Sequence, residues 1–257
     1  MATLHAALAG LTAVSVAFTL LWVLSVRLRD ASIADPFWGP GFLLVGGTYL
    51  GAHDGFTARG LLAVALVGIW AARLGLHLLR RNRALGEDPR YAAMRERHGE
   101  RFAWVSLATV FWLQAVLLWI VSFPVLAAVV GAAPLGAWDL VGALVVVAGL
   151  LTEAVADAQL TRFRADPTHH GRVLDRGLWR YSRHPNYFGN ALLWWGLWLL
   201  AVPAGGAWTA VGPALMTFLL VKVSGVALLE RSLVDRRPGY ADYVRRTPAF
   251  VPWFPRS

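Results

Sequence analysis

The sequence predicts an all-α integral membrane protein of about seven transmembrane helices, and three observations carry that prediction. Of its 257 residues, 57% are hydrophobic and only 15% charged, where a soluble domain carries about 25% charged residues. Apolar runs of bilayer length recur along the chain, and in lipid such runs bury their backbone polar groups by folding as helices. Arginine alternates from loop to loop between abundance and near absence, as a chain threaded back and forth through a membrane requires. No linker, low-complexity tract or internal repeat divides residues 1–257, so a single membrane-embedded domain is expected.

The first apolar run covers residues 4–26. It is too long for a signal-peptide core, lacks a basic leader and ends in "RLRD", so it reads as a first span. "ADPFWGPGF" opens the second, at 36–52, with Asp35 at its mouth. Further spans are expected at 59–80, 104–130, 137–158, 187–203 and 208–230. Pro185 suits the first turn of the sixth, whose free N–H groups and dipole then face the cytoplasm. Cysteine is absent, which excludes disulfides and thiolate metal sites.

Arg27 and Arg29 follow the first span, seven arginines follow the third, six follow the fifth and six lie in the tail. The three alternate loops share only Arg59. The N-terminus is therefore expected outside and the C-terminus in the cytoplasm. A net charge of +9 raises the question of nucleic acid, but membrane lipids with anionic headgroups explain juxtamembrane arginine. No aromatic-basic RNA motif or zinc-finger spacing occurs, so no nucleic-acid partner is expected, and no obligate protein partner is evident. The tail, rich in prolines and aromatics, is suited to packing back against the membrane face.

Ionisable residues at membrane depth are expensive and mark function. Arg73 and His77 stand four apart on the third span, on one face. Glu153 and Asp157 repeat that spacing on the fifth, and Lys222, the only lysine, lies on the seventh. Each has an ordinary reading: bonds to carbonyls, pairing with Arg162 or Arg164, snorkelling to a headgroup. Together they favour a polar cavity open to the cytoplasm, in which Glu153 and Asp157 accept bonds from an adenine amine or ribose hydroxyls. No phosphate-binding glycine loop and no G-x-S-x-G elbow is present. The histidines do not cluster, and no metal site is expected.

The segment "RYSRHPNYFG", residues 180–189, is a basic, aromatic collar at the start of the sixth span. Arg180 and Arg183 beside a positive helix end suit a phosphate. His184 reads as a helix-capping histidine. Asn186 carries an amide that pairs in plane with a carboxamide, and Tyr181 and Tyr187 can stack on a ring. A phosphorylated, ring-bearing cofactor with an amide is a nicotinamide dinucleotide, although lipid phosphate satisfies the arginines equally.

"GLWRYSRHPNYFGNALLWWG" together with "RNRALGEDPRYAAMRERHG" resembles the bacterial branch of the steroid 5-alpha-reductase-like family. The resemblance spans nearly the whole chain, from "DPFWGPGF" to "GYADYVRRTPAFVPWFP". A similar R-H-P-x-Y-x-G occurs in isoprenylcysteine and phospholipid methyltransferases, which share the core architecture and use S-adenosylmethionine; "GEDPRY" and the double Trp side with the reductases. The resemblance implies a multi-pass enzyme of the bacterial inner membrane that binds NADPH in a cytoplasmic-facing cavity. Its adenosine-side positions fall on Glu153 and Asp157, and its phosphate-binding arginines on Arg164, Arg172 and Arg83 beside Asn82. The carboxamide-binding Asn falls on Asn186, within a motif that also holds His184 and Tyr187, and a cofactor-packing Trp on Trp194. Tyr240 and Tyr243 match in pattern.

The chain departs from that family in three places. Asn190 stands where a Glu often follows the motif glycine, Asp35 lies near a substrate-binding Glu, and Trp70 replaces a Tyr that engages the substrate carbonyl. Tryptophan is no general acid, so either Asp35 or His77 takes that catalytic role or the substrate is not a 3-keto steroid. The expected reaction is reduction of a carbon–carbon double bond conjugated to a carbonyl in a lipophilic, steroid-like or isoprenoid substrate. The alternative is an S-adenosylmethionine-dependent lipid or isoprenyl methyltransferase.

Overall fold

The computed structural model describes residues 1–82, 86–223 and 239–256, with Asn82 as backbone alone. Among the described residues the protein is all-helical. Four helices are long and apolar enough to cross a membrane, Ala2–Leu28, Ala58–Arg81, Pro89–Val121 and Ala137–Ala165, and Ala207–Val223 is a shorter apolar helix. This is a membrane protein with several apolar helices. The chain falls into two compact units, one of Met1–Gly136 with Leu200–Thr209, the other of Ala137–Leu199 with Ala210–Ser257.

The first unit opens with α1 (Ala2–Leu28), which ends where Arg29 turns left-handed at φ 54° and donates its N–H to Ser25 O. After a turn capped by Asp30, whose carboxylate accepts from Ser32 N–H, α2 (Ala34–Gly51) begins. It packs on α3 (Ala58–Asn82) without room for a side chain at Gly39, where a Cβ would lie 2.9 Å from Ala71 O. Arg73 and His77 sit half-buried on α3. The short helix α4 (Pro89–His98) starts at Asp88, whose carboxylate accepts the Arg90 N–H, with Pro89 in the first turn. This is the expected chemistry of a helix start.

The span expected at 104–130 is broken. The helix runs from α5 (Phe102–Ser106) through a π turn at Leu107–Trp112 into α6 (Leu113–Val121), and α7 (Phe123–Val130) begins afresh. Pro124 has no N–H for the carbonyl four residues earlier, and its ring crowds that carbonyl. Ser122 occupies the break: its Oγ is 2.6 Å from Trp119 O and 2.7 Å from the Tyr49 hydroxyl. Arg59, only 1% exposed, donates to Ala133 O and Pro134 O. The one arginine of the poor loops is thus a brace for the turn after α7.

In the second unit α8 (Ala137–Ala165) continues past the expected end at 158, carrying Arg162 and Arg164 as helical residues. The next helix, α9 (Pro185–Ala201), begins at the expected proline. A helix α10 (Val211–Phe218) passes into a π turn, Leu219–Val223, on which Lys222 is exposed. The remainder of the span expected at 208–230 lies outside the described residues. The last helix is α11 (Tyr240–Arg246).

Candidate functional site

The site is built where α8 and α9 cross. A Cβ on Gly149 would lie 2.5 Å from Leu193 N and 2.6 Å from Gly189 O, and one on Gly196 would lie 2.6 Å from Val146 N. Backbone meets backbone along this seam, as small residues permit between helices in lipid. The register that follows brings polar side chains of the two helices together. Asn190 Nδ2 lies 3.5 Å from both carboxylate oxygens of Glu153, and Asn186 Nδ2 donates to Asp157 Oδ1 at 3.0 Å. Both carboxylates are buried, Glu153 at 4% exposure and Asp157 at 7%. Polar groups in such surroundings need hydrogen-bond partners, and the amides are among them.

Asn186 uses half its amide within the protein. Besides the bond to Asp157, its Oδ1 accepts the Tyr187 N–H at 3.0 Å. An amide has two donor hydrogens and two acceptor lone pairs, so one of each remains on this half-buried side chain, a match for a carboxamide. The anion site expected at the start of α9 is smaller than a free helix end would give. Pro185 lacks an N–H, the Tyr187 N–H is on Asn186, and the Phe188 N–H is already on His184 O.

Around the collar the structure separates the expected residues into two groups. Arg183 is turned to the tail: its Nη1 donates to Val244 O at 3.0 Å and Thr247 O at 2.6 Å, and its N–H to Pro248 O. Ser182 Oγ donates to Phe250 O, and Trp253 N–H to Tyr181 O. Tyr243 donates its hydroxyl to Trp179 O, and its ring meets Tyr240 edge to face at 5.8 Å. Both tyrosines are buried, and Tyr243 fastens the tail to the collar. His184 is buried too and stacks flat on Tyr187, centroids 5.5 Å apart. Trp194 is fully buried on α9.

Arg164, Arg172 and Arg180 are exposed, as is Tyr181, whose ring meets Phe254. Arg83 and the Asn82 side chain lie outside the described residues. The loop bearing Arg172 is pinned by the buried cluster of Ala156, Phe163, Leu174 and Trp179, with Trp179 Nε1 donating to Ala156 O.

In the first unit Asp35 Oδ1 accepts the Tyr91 hydroxyl at 2.8 Å, and Oδ2 lies 3.1 Å from Arg90 Nη2. Burial pushes this carboxyl above the ordinary range, against the pull of the Tyr91 hydrogen bond and the Arg90 charge. His77 is not among the partners of Asp35. Next to it, the hydrogen bond from Arg90 holds Asp88 below its ordinary value. Burial pushes Glu87 up, but Arg95 and the Ala31 N–H outweigh it and hold Glu87 low. Sequence reasoning passed over Tyr91, Arg90, Glu87 and Arg95. Their signal was Asp-Pro at 88–89, a helix start that turns the next residues towards Asp35.

Comparison with known proteins adds a family and a distant relative. The sequence family described as "Protein of unknown function (DUF1295)" matches residues 21–247. An uncharacterized protein of Schizosaccharomyces pombe is 25% identical over 266 aligned residues, covering 91% of this chain and 76% of its own length. No solved structure matches.

Proposed function

We propose, from the premise that the chain belongs to the DUF1295 family, that it is an NADPH-dependent membrane reductase. Its substrate is a lipophilic, steroid-like or isoprenoid compound with a carbon–carbon double bond conjugated to a carbonyl. One observation carries the reading: two buried carboxylates on α8 face two amides on α9, Asp157 with Asn186 and Glu153 with Asn190. Binding of a lipid headgroup calls for no buried carboxylate, whereas a nucleotide offers amine and hydroxyl donors to one.

A bound NADPH would supply the hydride for the β carbon. Asn186, with one N–H and one lone pair left, holds the carboxamide edge of the ring and so fixes which face is presented. Arg164 and Arg172, exposed in water, hold phosphate oxygens by charge-assisted bonds. For the proton that completes the reduction the candidates are Asp35 and His77.

The rival is an S-adenosylmethionine-dependent methyltransferase. It is favoured by the shared R-H-P-x-Y-x-G and by the fact that carboxylates suited to one ribose suit another. Purified protein titrated with NADPH and S-adenosylmethionine side by side separates the two. Saturable binding of NADPH alone is expected; saturable binding of S-adenosylmethionine alone sinks the reductase. The reading also sets the membrane arrangement: seven spans in a bacterial inner membrane, N-terminus outside and C-terminus in the cytoplasm. Reporter fusions at Gly51 and at the C-terminus are expected on opposite sides, and a same-side result overturns the span count.

A further inference from the structure

One face of α8 is left bare. Leu140, Leu144, Val147, Leu151 and Val155 are exposed, at the three- and four-residue spacing of a single helix face. On a helix long and apolar enough to cross a membrane, such a face meets acyl chains. Ala158 and Arg162 continue the same row and are exposed too. Leu151 is the midpoint of Ala137–Ala165, and Arg162 stands about 16 Å further along the axis. Half the hydrocarbon core of a bilayer is roughly 15 Å. A lipid whose chains lie along this face therefore has its headgroup at Arg162.

There the chain encloses a cavity of about 440 Å³, walled by Arg162 and Arg176 with Gln159, Phe163, Asp166 and His169. Arg162 makes no hydrogen bond or ion pair among the described residues. Arg176 is held: its Nη2 lies 3.2 Å from His169 Nε2, and its guanidinium 6.0 Å from the Phe163 ring centroid. A guanidinium can only donate, so Nε2 accepts and the ring proton is on Nδ1, which is 3.5 Å from Asp166 Oδ2. The imidazole, uncharged in that arrangement, lies flat on Phe163, centroids 4.4 Å apart. Asp166 is fixed in turn by Thr168, whose N–H and hydroxyl both donate to Oδ1. Two guanidinium groups against one carboxylate leave one positive charge. Gln159 Oε1 accepts the Leu178 N–H, and its amide N–H groups have no partner among the described residues.

We infer that this cavity is a specific site for an anionic phospholipid, with Arg162 and Arg176 as ligands of its phosphodiester. The charge matches. A phosphodiester with an uncharged head carries one negative charge, against the one positive charge left in the wall. A choline or ethanolamine head would set an ammonium among two guanidinium groups. The size matches too, since pockets for small molecules start at about 300 Å³ and a bare phosphate is far smaller. A soluble glycerophosphate offers the same phosphodiester, but the bare row from Leu140 to Val155 favours the lipid, because it gives acyl chains a place in line with the cavity. An arginine that meets headgroups only by chance needs no imidazole and carboxylate behind it. The site stands whichever cofactor the protein uses.

The test measures lipid bound to the purified chain by native mass spectrometry, with phosphatidylglycerol, phosphatidylcholine and soluble glycerophosphoglycerol as probes. The proteins are wild type, Arg162→Met and Arg176→Met, with Arg176→Lys to keep charge while losing the fork. Arg97→Met removes an exposed charge from the other unit. Wild type is expected to bind phosphatidylglycerol at least tenfold tighter than phosphatidylcholine. Each Met variant at the cavity is expected to lose at least fivefold of that affinity, Arg176→Lys to fall between, and Arg97→Met to bind as wild type. Thermal unfolding in detergent checks that the variants fold; Arg162→Met, at an exposed residue with no bond to lose, carries the test if those at Arg176 do not. Equal binding of the two lipids by wild type overturns the site, as does unchanged phosphatidylglycerol binding in folded Arg162→Met. An equal loss in Arg97→Met assigns the effect to overall charge and overturns it too. Displacement of phosphatidylglycerol by an equal concentration of glycerophosphoglycerol assigns the cavity to a soluble phosphodiester and overturns the lipid.

Discussion

Replacing Gly149 by leucine is expected to destabilise the protein by about 3 kcal/mol or more, at the upper end of overpacking penalties, and to abolish cofactor binding with it. The clash is with backbone: a Cβ at Gly149 already falls 2.5 Å from Leu193 N, and a side chain rotamer cannot relieve it. The helices must part, and Asn186 and Asn190 move away from Asp157 and Glu153. Gly47→Ala is the control, because nothing lies within 4 Å of a Cβ there; alanine in that exposed position of α2 is expected to hold or slightly raise stability. Thermal unfolding in detergent checks both. A Gly149→Leu protein that melts with wild type would mean that α8 and α9 do not cross as described.

That seam shows what the sequence hides. Helix positions were readable from apolar runs, because lipid forces each run into a helix whatever its partners. The start of α9 was readable from Pro185, and the close of α2 from the end of its apolar run. Which faces meet was harder to read, since most of the surface of these helices is apolar. The usable signal was spacing: Gly142 and Gly149 on α8, Gly189 and Gly196 on α9, each pair seven apart. Seven residues is close to two turns, so each pair lines one face.

The break at Ser122 was hidden for a related reason, since its residues are as apolar as a continuous span, and only Pro124 marks it. Within the site, Glu153, Asp157 and Asn186 stood out as polar groups in costly places, and the structure gathers all three. Arg183 and Tyr243 also join the tail to the collar. A hydrogen bond across sixty residues of chain, such as Arg183 to Val244, leaves no periodicity to read.

Asn186→Asp is expected to lower turnover about a hundredfold, the loss that small misplacement of reacting groups brings, and to weaken NADPH. The substitution keeps the shape of the side chain. It replaces the donor that meets Asp157 at 3.0 Å with an acceptor and sets two carboxylates against each other in a buried place. Two carboxylates that close cannot both ionise, so one takes a proton or the pair separates. Either way the remaining N–H of the amide, the one left for a carboxamide, is gone. The swap Asn186→Asp with Asp157→Asn restores one donor and one acceptor across the same gap. It is therefore expected to recover the melting temperature lost by the single variant, but not the turnover, because the amide now stands on α8. NADPH oxidation with a panel of enones, read beside thermal unfolding, distinguishes the roles. A swap that recovers both would make Asn186 a tie between α8 and α9 and remove it from the cofactor. A single variant with normal turnover and a lower melting temperature would do the same.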